Sequence, residues 1–134
     1  MIKKIKLKCF KKKSGKLIAF STTKSLPFKI KRFFIINGEK GFTRGDHAHK
    51  KCSQFLFPLI GKIKILSNSK DGKKNILLDS SKNEGYLLKP KTWCKINFIT
   101  KHSTLLVACD MEYKFSDYIE KYSEFLKIIK KKNK

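Results

Sequence analysis

Most of this chain consists of short β-type runs separated by turn signals, and this pattern limits the possible folds more than any other feature. Glycine, serine and asparagine mark clear turns at residues 13–16 and 68–73. The runs that we predict as strands are residues 6–10, 16–20, 28–36, 54–58, 62–66, 75–78, 85–88, 93–98 and 103–108. Many short strands at this spacing predict an all-β fold, either a sandwich or a barrel.

The end of the chain follows a different pattern. From Asp117 onward the apolar residues recur at helical spacing and share one face: Tyr118, Ile119, Tyr122, Phe125, Leu126 and Ile129. We therefore predict a C-terminal helix over about 115–130, capped by Ser116 or Asp117 and packed on the β-body. The 134 residues contain no linker or repeat, so we expect a single domain over 1–134.

The formal net charge of +23 raises the question of nucleic-acid binding. Only two of the 33 basic residues, Arg32 and Arg44, are arginines, and the lysines are spread along the whole chain. Nucleic-acid sites usually rely on arginine for forked and stacking contacts, so we expect no nucleic-acid partner. Attraction of small anions such as phosphates remains compatible with this charge.

The sequence also bears on cellular location. No apolar run is long enough to span a bilayer, and the first residues lack a signal-peptide core, so we expect a cytoplasmic protein without a membrane partner. The four cysteines form no Cys-x-x-Cys pair, which favours reduced, mostly buried thiols over a zinc or redox motif.

Two of the three histidines lie one residue apart within segment 44–50, Arg-Gly-Asp-His-Ala-His-Lys. Because side chains alternate along a strand, His47 and His49 would point to the same face. Such a pair can bind a metal ion or transfer protons near neutral pH. The alternative is a pair of surface histidines on a polar loop.

The spacing around these histidines resembles the first motif of the cupin superfamily, small double-sheet β-barrels. Gly41 is followed by five residues, His47-Ala48-His49, four residues, Gln54, six residues and Gly61. Metal-binding cupins carry Glu at the position of Gln54 and a further His at the position of Lys95. A lysine ammonium has no lone pair and repels a cation, so we expect no metal, and the histidines remain available as acid and base.

A narrower resemblance covers nearly the whole chain. Segment 44–50, residues 90–93 and the ending 117–126, Asp-Tyr-Ile-Glu-Lys-Tyr-Ser-Glu-Phe-Leu, are similar to the dTDP-4-keto-6-deoxyglucose 3,4-ketoisomerases. The resemblance implies a cupin jelly roll, a homodimer often with exchanged N-terminal strands, and no metal or other cofactor. It also implies a dTDP-linked 4-keto sugar as substrate and a 3-keto product that an aminotransferase uses in deoxyamino sugar (surface glycan) biosynthesis.

For such a reaction we predict His49 as the base that passes a proton through an enediol, with His47 orienting or relaying. Arg44 would hold the pyrophosphate or sugar through a forked contact. Three further residues are candidates for substrate contacts, each with an alternative. Gln54 would bond a histidine or a sugar hydroxyl, Trp93 would line the pocket or lie in the core, and Lys95 would face the phosphates or solvent.

One departure from the family concerns tyrosine. The family's strand before the histidine loop carries tyrosines, one of them implicated in proton transfer, whereas residues 33–36 here read Phe-Phe-Ile-Ile. Tyr86, Tyr113 or water would have to substitute. Two other functions therefore stay open, a non-catalytic sugar-nucleotide-binding cupin and a related cupin sugar epimerase.

Overall fold

The computed structural model describes residues 2–21 and 24–131, and most of them lie in β-strands. The strands are β1 (Ile2–Lys6), β2 (Lys8–Lys12), β3 (Gly15–Ala19), β4 (Arg32–Glu39), β5 (Thr43–His49), β6 (Gln54–Ile60), β7 (Lys62–Ser69), β8 (Gly72–Asp79), β9 (Glu84–Leu88), β10 (Trp93–Phe98), β11 (His102–Cys109) and β12 (Tyr118–Ile119). One α-helix, α1 (Tyr122–Lys131), and two short 3₁₀ turns, Ser80–Lys82 and Phe115–Asp117, complete the described elements.

The strands form two five-stranded sheets and a hairpin, and every pairing is antiparallel. The first sheet has the order β1-β9-β6-β11-β4 and the second β12-β5-β10-β7-β8, while β2 pairs only with β3. Strands distant in sequence are neighbours in both sheets, as in a jelly roll. The predicted fold class, an all-β jelly-roll barrel with a C-terminal helix, is confirmed.

The main core lies between the two sheets and follows from the alternation of side chains along the strands. In β7, Ile63 and Ile65 are fully buried while the intervening Lys62 and Lys64 are exposed. The inward residues of the first sheet meet them from the other side, among them Leu56, Leu105 and Val107.

The outer face of the first sheet is also partly covered, which explains the nearly continuous apolar run of β6. Leu56 belongs to the main core, whereas its neighbours Phe55 and Phe57 belong to a second cluster outside the sheet. Leu7, Leu26 and Ala108 are the other buried members of that cluster, and partly buried residues pack against it, among them Ile18 of β3 and Phe28. Leu7 also divides the predicted strand 6–10, because its N–H donates to the Asn83 carbonyl instead of continuing a ladder.

The predicted start of the C-terminal helix is wrong. Residues 115–117 form a 3₁₀ turn, Tyr118 and Ile119 pair with His49 and Ala48 as a short strand, and α1 begins only at Tyr122. Asp117 does not cap the helix, because its carboxylate is used by β5 and the loop after it. The apolar spacing is satisfied all the same, since Ile119 from the strand and Phe125 from the helix are buried in one cluster.

Two further points concern boundaries and membranes. The predicted strand 28–36 begins only at Arg32. Within the described residues, no helix has both the length and the hydropathy needed to cross a bilayer.

Candidate active site

A cavity of about 520 Å³ opens between the two sheets beside the histidine strand. Its apolar lining comes from inward side chains of β4, β6, β10 and β11, and its polar lining comes mainly from β5 and the segment 113–120. The polar and aromatic residues that line it are Phe34, Phe42, Thr43, Arg44, His47, His49, Gln54, Thr92, Tyr113, Phe115, Tyr118 and Glu120.

His47 and His49 both line this cavity, as the alternation of a strand predicts. Their ring centroids are 5.2 Å apart and the rings are nearly perpendicular. His49 is buried and His47 half-buried. The alternative of two surface histidines on a loop is therefore excluded.

A bulge in β5 brings Arg44 to the same cavity. Strict alternation would place Arg44, three residues before His47, on the opposite face. The register between β5 and β10 shifts here, with Gly45 at φ +83° and Asp46 at φ +64°. A Cβ on Gly45 would lie 2.8 Å from the Cys94 carbonyl oxygen, so this position favours glycine.

The carboxylate of Asp117 fixes the orientation of His49. Asp117 Oδ2 lies 3.0 Å from His49 Nδ1, and both side chains are buried. The backbone N–H groups of Lys51 and Cys52 also donate to this carboxylate, at 2.8 and 3.2 Å. Because an ionised carboxylate only accepts, Nδ1 carries the proton of the neutral ring. His49 Nε2 has no hydrogen-bond partner among the residues that the structure describes.

The electrostatics keep both imidazoles neutral near pH 7. Burial lowers the pKa of His49, against the opposing hydrogen bond to Asp117, and the positive charges of His47 and Arg32 act in the same direction as burial. Burial likewise lowers the pKa of His47. A neutral His49 with a free Nε2 has the protonation state that a general base requires.

Tyr118 is the aromatic residue that the sequence analysis missed at this site. Its ring centroid lies 4.3 Å from His49 and 4.9 Å from His47. The helical spacing of residues 118–129 had assigned it to packing, whereas in β12 it pairs directly with His49. Of the two tyrosines that we predicted as substitutes, Tyr113 lines the cavity, whereas Tyr86 packs against the main core instead.

The other predicted contacts divide between two cavities. Gln54 is buried and lines the histidine cavity, where its amide donates to Cys109 Sγ at 3.6 Å and not to a histidine. Trp93 and Lys95 alternate with Cys94 and Ile96 along β10, so they face away from the histidines and line a second cavity. Neither residue therefore lines the histidine cavity. Of the two alternatives predicted for Trp93, the pocket and the core, it takes the core, and a substrate contact of Lys95 stays a prediction.

Trp93 belongs to a core cluster next to α1. It packs against Tyr122 and Phe125, and its indole N–H donates to Asp46 Oδ1 at 3.1 Å. Asp46 directly precedes His47 in β5 and lies on the other face of the strand, where it accepts this bond.

Among the residues that the structure describes, one set of side chains has ligand atoms close enough to hold a cation: those of His49, Cys52 and Asp117 lie within 4.8 Å of one another. Their hydrogen bonds argue against this use. The Asp117 oxygens already accept three donors, and the Cys52 thiol donates to the Ser53 carbonyl. A hydrogen bond with Cys109 together with burial raises the pKa of Cys52, so its metal-binding thiolate is disfavoured.

The fold and this cavity define a cupin-type barrel whose buried histidine pair is suited to acid–base chemistry. The model of the family described as "FdtA: WxcM-like, C-terminal" matches residues 1–130. The chain therefore belongs to this family, and the resemblance predicted from the sequence is confirmed.

Curated and solved relatives agree with this assignment. The chain is 34% identical over 120 residues to the TDP-4-oxo-6-deoxy-alpha-D-glucose-3,4-oxoisomerase of Aneurinibacillus thermoaerophilus, covering 89% of this chain and 86% of the relative. The sugar 3,4-ketoisomerase QdtA of Thermoanaerobacterium thermosaccharolyticum, solved in complex with TDP, is 33% identical with a TM-score of 0.92, covering 98% and 96% of the two chains. A histidine-to-asparagine variant of QdtA was solved with TDP-4-keto-6-deoxyglucose and has a TM-score of 0.91 at 33% identity, covering 97% and 94% of the two chains.

Proposed function

We propose that this protein is a sugar-nucleotide 3,4-ketoisomerase that converts dTDP-4-keto-6-deoxyglucose into a dTDP-3-keto-6-deoxyhexose. The names of its relatives support the reaction class and the nucleotide. The observation that carries the proposal for the site is the buried Asp117–His49 pair, which leaves Nε2 of a neutral imidazole free beside a cavity.

In the proposed mechanism His49 Nε2 removes the proton from carbon 3 of the bound 4-keto sugar. The electrons of the carbon–hydrogen bond form a double bond between carbons 3 and 4, and the carbonyl oxygen takes a proton from an acidic group of the site to become the second hydroxyl of an enediol. His49 then returns its proton to carbon 4, while the hydroxyl on carbon 3 gives its proton back to that acidic group and becomes the new carbonyl. Because the sugar ends with the same number of electrons and protons, the reaction requires no external oxidant or reductant.

Asp117 is suited to assist both halves of this reaction. It holds the imidazole in the tautomer whose Nε2 is unprotonated, and its negative charge stabilises the imidazolium that forms after proton removal. His47, 5.2 Å from His49 between ring centroids, is placed to orient the sugar or relay a proton.

We propose Arg44 as the residue that binds the substrate's charged or hydroxyl groups at the cavity. Its guanidinium can form forked contacts to a pyrophosphate, which lysine cannot reproduce. Gln54 is proposed as a hydrogen-bonding group of the cavity. For Trp93 and Lys95, substrate contact would require the nucleotide to extend into the second cavity, on the far side of β10.

We also propose that the protein is a cytoplasmic homodimer. Four apolar side chains on β4 and the β2–β3 hairpin are more than half exposed, namely Phe10, Leu17, Phe33 and Ile35. Phe10 and Leu17 pair across the hairpin, and Phe33 and Ile35 share one face of β4. Exposed apolar pairs of this kind favour a protein–protein contact, and a second copy is the partner implied by the family resemblance. The product would serve a later amino-transfer step in deoxyamino sugar biosynthesis.

Proton–deuterium exchange tests the reaction directly. The protein is incubated with dTDP-4-keto-6-deoxyglucose in heavy water, and NMR follows the hydrogen on carbon 3 and the position of the carbonyl. An isomerase exchanges this hydrogen and gives the 3-keto product, an epimerase inverts a centre without moving the carbonyl, and a binding protein shows no exchange. Either of the last two results would overturn the proposal.

The role of His49 is tested with a matched pair of variants. His49→Asn should abolish turnover and leave dTDP binding largely intact. His102→Asn is the control, because His102 is exposed and paired with Glu39 outside the cavity. Full turnover in His49→Asn would remove His49 as the base.

A further inference from the structure

The ketoisomerase reaction requires a second proton-transfer group, because the carbonyl oxygen must gain a proton while carbon 3 loses one. Strand β4 cannot provide this group. Its side chains in the cavity are Phe34 and Ile36, and neither carries a proton that can be transferred. Among the four tyrosines, all of which the structure describes, three are poorly placed. Tyr86 packs against the core and Tyr122 lines the other cavity. Tyr113 lines the histidine cavity but is 63% exposed, and its ring packs against Tyr118 and not against an imidazole.

Tyr118 occupies a different environment. It is half-buried, lines the histidine cavity, and has its ring against both imidazoles. Its backbone position is fixed, because Tyr118 pairs with His49 in the ladder between β12 and β5. The segment before it is fixed as well, since the adjacent Asp117 is bound to His49 and to two backbone N–H groups.

Arg32 provides the charge that such a tyrosine needs. Its guanidinium lies 5.4 Å from the Phe34 ring centroid and 5.6 Å from that of Tyr113, and it donates to Cys109 Sγ at 3.4 Å. Its Nε is buried without a hydrogen-bond partner among the described residues. The Tyr113 ring that this guanidinium contacts lies in turn 5.8 Å from the Tyr118 ring, measured between ring centroids. A cation held at this place stabilises a phenolate formed on Tyr118 during the reaction, because opposite charges attract strongly in a partly buried site.

We propose that Tyr118 is the acid that protonates the carbonyl oxygen on carbon 4, and that Arg32 is its positioning residue. This inference rests on the proposed ketoisomerase function. As His49 removes the proton from carbon 3, the carbonyl oxygen takes the proton of the Tyr118 hydroxyl, which leaves a phenolate beside Arg32. In the second half the phenolate takes the proton from the hydroxyl on carbon 3, that oxygen becomes the carbonyl, and His49 protonates carbon 4.

The charged and titratable neighbours of Tyr118 agree with this role. Burial raises the pKa of Tyr118, so the hydroxyl is protonated at neutral pH, while Arg32 acts to lower it. Tyr113 and Cys109 also influence the pKa of Tyr118, both in the upward direction, and His47 and His49 contact the ring. The residue therefore holds a proton before the reaction and has a cation to balance the charge after losing it.

The first test is Tyr118→Phe with Tyr86→Phe as the matched control. Phenylalanine keeps the ring against the imidazoles and removes only the hydroxyl. We expect kcat and deuterium exchange at carbon 3 to fall together by about 100-fold or more in Tyr118→Phe, with KM nearly unchanged. Tyr86→Phe should stay within about threefold of the wild type, because Tyr86 packs against the main core and does not line the cavity. Exchange at the wild-type rate in Tyr118→Phe would overturn the inference.

The second test does not depend on that variant folding. Arg32→Lys keeps a positive charge and Arg32→Gln removes it. We expect ultraviolet titration to move the ionisation of Tyr118 to higher pH in Arg32→Gln, with kcat reduced and restored in part by lysine. A phenolate titration and kcat identical in wild type and Arg32→Gln would overturn the role of Arg32. If the wild-type protein gives no 3-keto product, the proposed function fails. If the wild type gives the product and the Tyr118 and Arg32 variants do so at the same rate, the proposed function stands and only the roles of Tyr118 and Arg32 fail.

Discussion

The buried carboxylate of Asp117 allows a quantitative prediction for Asp117→Asn. The carboxylate accepts His49 Nδ1–H and Cys52 N–H on one oxygen and Lys51 N–H on the other. An amide has one oxygen and one NH₂ group, so it cannot satisfy both sides. If the amide oxygen faces His49 and Cys52, the amide NH₂ group lies against the Lys51 N–H, and two donors repel each other. If the amide is turned around, its NH₂ group lies against the donors of Cys52 and His49.

The first placement is favoured, because it keeps the hydrogen bonds from His49 and Cys52 and loses only the one from the Lys51 N–H, which is partly buried. A hydrogen bond to a charged group contributes about 1.5–3 kcal/mol, and the two remaining bonds weaken when the acceptor becomes neutral. We therefore expect the free energy of unfolding to fall by about 2–4 kcal/mol. Urea titration followed by the fluorescence of Trp93, the only tryptophan, measures this change.

The effect on turnover comes from the imidazolium that forms in the reaction. A carboxylate about 4 Å from an imidazolium contributes at most about 4 kcal/mol at the effective dielectric constant of a protein site. One decade in rate corresponds to about 1.4 kcal/mol, so kcat should fall by about 10²–10³-fold. The favoured placement keeps the His49 tautomer, which is why the loss should not be complete.

Asp110→Asn is the control for this prediction. Asp110 accepts the Ser53 N–H at 2.8 Å in the same region and has no contact with a histidine. We expect it to lower stability by about 1 kcal/mol and to leave kcat within a few-fold of wild type. If Asp117→Asn loses stability but keeps full kcat, the carboxylate only supports the fold and our account of its catalytic role is refuted.

Three further predictions concern the histidine strand. Because burial lowers the pKa of His47 and His49 from 6.5, kcat/KM should be flat above about pH 6.5 and fall below it; an acid limb above pH 7 would contradict neutral histidines. The unfolded chain binds these protons first, so stability should also fall as the pH drops below 6.5. Gly45→Ala should lower the melting temperature more than Gly72→Ala. Both glycines have positive φ, but only a Cβ at position 45 would clash with backbone, at the Cys94 carbonyl oxygen. Equal melting temperatures of the two variants in a thermal scan would refute this explanation.

Local alternation was enough to predict much of the fold and the central pair of the site. Ile63 and Ile65 alternate with lysines, so their strand and its buried face follow from the sequence alone. The same rule predicted that His47 and His49 share a face. Both cases depend on residues within one strand, where the period of two fixes which side chains are neighbours.

Register and non-local pairing limited the rest. Arg44 reaches the cavity only because of the bulge at Gly45 and Asp46, which no periodicity reveals. For Trp93 the sequence left the pocket and the core open, and for Lys95 the phosphates and solvent. The choice depends on how β10 is placed in register with its neighbours. The spacing of a motif along the chain does not tell which of its residues point to the cavity and which to the opposite face of the sheet, because that depends on how the strand pairs with its neighbours.

The segment around Tyr118 was misjudged for a related reason. A spacing of three and four residues predicts a helix, yet a two-residue strand followed by a helix buries the same apolar residues. The pairing of Tyr118 with His49 joins residues far apart in sequence, so it appears only in the folded chain. Asp117 likewise gained its role from that pairing, whereas the sequence pattern had suggested a helix cap.

The most direct test of the site is a crystal structure of His49→Asn with dTDP-4-keto-6-deoxyglucose. We expect the sugar to lie in the cavity between the sheets, with carbon 3 about 3–3.5 Å from the position that His49 Nε2 occupies in the wild type. We also expect the pyrophosphate to lie beside Arg44. A sugar bound instead beside Trp93 and Lys95 on the far side of β10 would contradict this account.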